Sequence, residues 1–92
     1  MARVVVSLRI MPNSPSVDLS GLESEAKKEI VNFCNSEEFK ASIEPIAFGL
    51  KALNLLFVME ESIGTTERLE KAIAGLDGVE SVEVTDVRRA VG

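Results

Sequence analysis

The chain has 92 residues, 46% hydrophobic and 27% charged, enough for one modest globular core over residues 1–92 but not for a second domain or a large internal cofactor cavity. Fifteen acidic against ten basic residues give a net charge of −5, which opposes binding to a phosphate backbone in the absence of a local basic patch. Histidine is absent and Cys34 is the single cysteine, excluding Cys/His zinc sites, Cys–His nucleophiles and intramolecular disulfides and fitting a reducing cytoplasm.

From Val4 to Met11 the apolar set Val4, Val6, Leu8, Ile10 alternates with Val5, Ser7, Arg9, Met11, the period of a strand with one face on a core. Pro12 and Pro15 then predict a fixed surface connection over Pro12-Asn13-Ser14-Pro15. Asp18 and Ser20 are both good N-cap types, and Ser20 with Glu23 matches a capping box. Leu22, Ala26, Ile30 and Phe33 form the apolar stripe of a helix predicted to begin near Leu19 to Leu22 and run to about Ser36.

Glu44-Pro45 restarts an extended segment in which Ile46, Phe48 and Leu50 alternate with Ala47, Gly49 and Lys51. Ala52 to Met59, nearly all apolar, reads as an interior strand. Gly64 marks a turn, Thr65 or Thr66 caps a second helix with Leu69, Ala72, Ile73 and Leu76 on its apolar face, and Asp77-Gly78 ends it. Val82 and Val84 belong to a last strand. Val87 breaks its alternation, placing a bulge or the strand's end near Asp86.

The order strand, helix, strand, strand, helix, strand predicts an α+β, ferredoxin-like α/β sandwich: a four-stranded antiparallel sheet ordered 4-1-3-2 with both helices on one face. Leu55, Phe57, Ile30 and Leu76 are expected in its core. That layout hosts many unrelated functions.

A search for chemistry finds no histidine base, no Walker-type phosphate loop, no metal cluster and no cofactor motif, so an enzyme is not expected. Arg9 before Ile10-Met11 does not make a phosphate-cradling loop. Glu60-Glu61 reads as a solvated turn, Cys34 as a small buried hydrophobe, and Lys27 and Lys28 as partners of Glu23 and Glu25 on a solvated helix face. The longest apolar run, Leu55 to Met59, falls far short of the ~20 residues of a membrane span, and Met1 leads into a strand pattern, so neither export nor membrane insertion is expected. Trp and Tyr are absent and phenylalanine occurs only at 33, 39, 48 and 57, too few for a stacking surface; direct nucleic-acid binding is not expected. Arg88-Arg89 serves either solubility or contact with an acidic partner or phosphate. Phe48-Gly49 either forms the tip of a hairpin carrying an exposed aromatic or buries Phe48 in the core.

Three blocks, Met11 to Leu19, Glu44 to Leu53 and Gly78 to Arg89, span nearly the whole chain and strongly resemble the archaeal translation elongation factor 1-beta family. The resemblance implies a ferredoxin-like guanine-nucleotide exchange factor that promotes GDP release from elongation factor 1-alpha in the cytoplasm. It also implies that Phe48 is a wedge at the GTPase surface; Lys51, Arg88 and Arg89 are candidates for cationic contacts beside it. Two departures stand out: Ile63 occupies a position where the family often has glycine, and Arg88-Arg89-Ala90-Val91-Gly92 stands where eukaryotic members carry a lysine-bearing tail. An exchange factor needs no nucleophile, because it works by binding the nucleotide-free GTPase better than the loaded one. A ligand-sensing or oligomeric regulatory domain of the same fold is the alternative.

Overall fold

The computed structural model describes residues 2–36 and 38–90. Its elements are β1 (Arg3–Pro12), α1 (Leu19–Cys34), β2 (Phe39–Pro45), β3 (Lys51–Glu60), a 3-10 turn (Glu61–Ile63), α2 (Glu67–Ala74) and β4 (Val79–Arg89). The strands form one antiparallel sheet in the order β2-β3-β1-β4, the ferredoxin-like arrangement expected from the pattern. Val4, Val6, Leu8 and Ile10 of β1 lie opposite Met59, Phe57, Leu55 and Leu53 of β3, because equal parity along paired strands puts side chains on one face. Leu22, Ala26 and Ile30 of α1 and Leu69 and Ile73 of α2 close over these residues in a single core, so both helices cover one face and leave the other open. Leu55, Phe57 and Ile30 are buried there as expected; Leu76 packs at the margin, half-buried.

The parity break at Val87 is a bulge. Ser7 pairs with Asp86 but Leu8 with Val84, so Thr85 has no partner, and its hydroxyl donates to the Ser7 carbonyl at 3.3 Å. The extra residue lets Val82 and Val84 before it and Val87 after it face the same side.

The second strand and the C-terminal ends of both helices differ from the sequence expectation. The second strand lies earlier, over Phe39–Pro45, where Phe39, Ala41 and Ile43 alternate with Lys40, Ser42 and Glu44. Residues 46–50 form the turn instead, since Phe48 and Gly49 both take positive φ, which no strand accommodates. Helix α1 is capped by Asp18, whose Oδ1 accepts from the Ser20 amide at 3.1 Å, and it stops at Cys34 because Asn35 turns left-handed at φ 55°. Thr65 and Thr66 share the start of α2: the Thr65 hydroxyl accepts from the Glu67 amide, while that of Thr66 donates to the Glu70 carboxylate. That helix ends at Ala74, short of Asp77. Gly78 (φ 90°) makes the turn into β4, and a Cβ there would stand 3.1 Å from Val17 Cγ1.

Candidate functional site

Within the segment that joins β2 to β3, Phe48 and Gly49 make the reversal. The Leu50 amide donates to the Ala47 carbonyl at 2.9 Å, and Phe48 (φ 53°) and Gly49 (φ 80°) are both left-handed, the pattern of a type I′ turn matched to strand twist. Glycine adopts this freely, whereas a bulky side chain gives up about 1–2 kcal/mol there. Phe48 is nonetheless 97% exposed, so the fold recovers nothing from its ring. Core burial of Phe48 is thereby excluded. The hairpin tip thus carries a wholly solvated aromatic on a left-handed backbone.

The rest of this end of the sheet is built around that tip. A Cβ on Gly49 would touch Pro15 Cβ at 3.9 Å, and the Asn13 amide donates to the Gly78 carbonyl at 2.8 Å. The β1–α1 loop therefore lies between the hairpin and the turn into β4. Lys51, the first residue of β3, is exposed at the same end and faces Pro45.

Arg88 and Arg89 lie at the opposite end, where β4 runs beside Val5 and Val4 at the start of β1. With a ten-residue β3 between the two ends, the separation is about 33 Å. The four residues singled out in the sequence thus form two groups. Arg89 holds Glu61 through two parallel bonds, Nη2 to Oε1 at 2.9 Å and Nε to Oε2 at 3.2 Å. Those bonds and the guanidinium charge keep the Glu61 carboxyl below its ordinary range and push the Arg89 guanidinium up. Arg88 forms an exposed ion pair with Asp86, Nε to Oδ2 at 2.8 Å. The expected solvated turn at Glu60-Glu61 is solvated at Glu61, but it also anchors the last strand. Beside this pair, a groove of about 520 Å³ is lined by Val4, Val6, Met59 and Val87.

The sequence reading missed a polar network on the open face. Glu44 Oε1 accepts from Arg9 Nη2 and from Asn54 Nδ2, both at 3.1 Å, linking β2 to β1 and β3. Only the strand register, which brings Arg9 beside Asn54, could have shown it. Cys34 is half-buried, its Sγ donating to the Ile30 carbonyl at 3.4 Å, and burial pushes the thiol's pKa up. Among the described residues no group of three or more His, Cys, Asp or Glu could hold a metal, and no helix is long and apolar enough to cross a membrane.

Known proteins give this architecture a context. Residues 5–90 match the EF-1 guanine nucleotide exchange domain. The chain is 45% identical to elongation factor 1-beta of Methanothermobacter thermautotrophicus and 48% identical to that of Methanobrevibacter smithii, each over 97% of this chain and 98% of the relative. Elongation factor 1-beta of the more distant Staphylothermus marinus is 41% identical with the same coverage. Among solved structures, the de novo designed protein Foldit4 superposes with a TM-score of 0.63 at 22% identity over 98% of both chains, a likeness of fold alone. Matched along nearly its whole length, the chain belongs to the elongation factor 1 guanine-nucleotide exchange family.

Proposed function

We propose that the protein promotes GDP release from elongation factor 1-alpha by gripping the GTPase from both ends of its sheet, with Phe48 as the wedge at one end and Arg88 and Arg89 as cationic contacts at the other. Lys51 adds a cation beside the wedge. Exchange requires no covalent chemistry from this chain: the factor binds the nucleotide-free GTPase more tightly than the loaded one, and that difference expels GDP. Magnesium and phosphate in such a GTPase are held by a P-loop and switch segments, so a wedge that displaces them or a cation that competes with the metal weakens nucleotide binding.

The observation that carries this reading is the solvated, left-handed Phe48. A large aromatic with no role in its own fold is the residue type that concentrates interface energy. The two-ended division also fits the family resemblance, since the cation-bearing end lies where the eukaryotic lysine tail would leave the domain. With a net charge of −5, the protein meets RNA only through the GTPase, in the cytoplasm where translation runs.

The test is binding of the purified protein to elongation factor 1-alpha stripped of nucleotide and loaded with GDP. Clear preference for the stripped form is expected. Equal affinity for the two forms would remove the basis for exchange, and salt-sensitive micromolar binding to tRNA without the GTPase would contradict the indirect route to RNA.

A further inference from the structure

The hairpin that presents Phe48 is weakly held on the helix side. β2 is an edge strand, paired only with β3, and toward its tip the apolar side chains fall away from the core: Ile43 is 53% exposed and Ile46 43% exposed. Pro45 contributes no amide to the ladder. On the open face the same stretch is tied down. Glu44, just before Pro45, places one carboxylate oxygen against Arg9 of β1 and Asn54 of β3, reaching across the whole width of β3 to the central strand. Among the described residues, these two are the only side-chain hydrogen bonds to any residue from 43 to 50.

We propose that Glu44 is a positioning residue for exchange: bridging Arg9 and Asn54, it fixes the angle at which the β2–β3 tip projects Phe48. This rests on the wedge reading of Phe48 and adds to it what holds the wedge in place. The chemistry suits the role. A carboxylate accepting one charged and one neutral donor on adjacent strands restrains direction as well as distance, whereas an apolar contact would restrain distance alone. An exposed brace of this kind contributes little to global stability, so its loss loosens the tip without unfolding the sheet.

The experiment compares Glu44→Gln, Phe48→Ala and the double variant, measuring GDP release from elongation factor 1-alpha over a range of factor concentrations and amide hydrogen exchange by NMR. Glu44→Gln should raise the half-saturating concentration about two- to fivefold, the size of an exposed charged contact, with the maximal rate little changed. The Leu50 amide, which closes the turn on Ala47, should exchange faster by a similar factor while that of Val6 in the central strand does not change. In the Phe48→Ala background, Glu44→Gln should have no further effect. An additive loss in the double variant, or unchanged protection at Leu50, overturns the positioning role and leaves the wedge standing. Wild-type exchange by Phe48→Ala overturns the wedge and the positioning role together.

Discussion

Phe48 and Arg89 stand at opposite ends of the same pair of central strands: Phe48 caps the hairpin into β3, and Arg89 pairs with Val4 at the far end of β1. Within the chain the two side chains share no contact, Arg89 being held by Glu61. Their effects on exchange should therefore multiply: Phe48→Ala and Arg89→Ala together should slow GDP release by the product of the single effects, within about twofold. The rates of the four proteins under one set of conditions check this. A double variant no slower than the worse single one would mean that one end alone makes the productive contact.

The conformation of Phe48 sets fold against function. Phe48→Asn places at the first turn position a residue that tolerates left-handed backbone, ahead of Gly49, the favoured type I′ pairing. Thermal unfolding should show stability equal to or above wild type, by up to about 1 kcal/mol, while exchange slows as far as in Phe48→Ala. A clear drop in melting temperature would show that the ring contributes to the fold after all.

The two-faced nature of β3 is checked by a neighbouring pair. Leu55 is 1% exposed beneath the helices, and Leu56 is 37% exposed on the open face. Leu55→Ala should cost about 2–5 kcal/mol and bring the domain close to unfolding, given total stability of about 5–10 kcal/mol, whereas Leu56→Ala should cost less than about 1 kcal/mol. Urea unfolding of both variants reads the difference directly.

Much of this fold was legible because period-two alternation in β1 and three-to-four spacing in the helices are local signals that packing reinforces. The edge strand β2 was less so: Phe39, Ala41 and Ile43 make a short pattern, and the competing alternation of Ile46, Phe48 and Leu50 beyond Pro45 reads as a strand until the turn at Phe48-Gly49 is seen. The same holds for the site. Phe48 could be singled out from its block, but its exposure and the distance to Arg89 depend on strand order. The bonds of Arg89 to Glu61 and of Glu44 to Arg9 join residues 28 and 35 positions apart, beyond any local pattern.

Acid should loosen both polar anchors. The carboxyls of Glu44 and Glu61 sit below their ordinary value of 4.5 in the folded state, chiefly through the hydrogen bonds from Asn54 and Arg89 respectively. The folded state therefore binds their protons less readily than the unfolded chain does. The stabilisation is fully present above the ordinary value and is lost as pH falls through the lowered one. In urea unfolding, the double variant Glu44→Gln/Glu61→Gln should lose less stability than wild type between pH 7 and pH 3. An identical loss would mean that neither anchor matters to folding.

The central claim, that Phe48 drives exchange from outside the fold, is tested most directly by stopped-flow release of labelled GDP from elongation factor 1-alpha with Phe48→Ala, alongside thermal unfolding of the free variant. Truncating an aromatic that fills a partner pocket commonly costs about 2 kcal/mol or more, so release should slow by roughly 30-fold with the melting temperature unchanged. Release at the wild-type rate would contradict the claim.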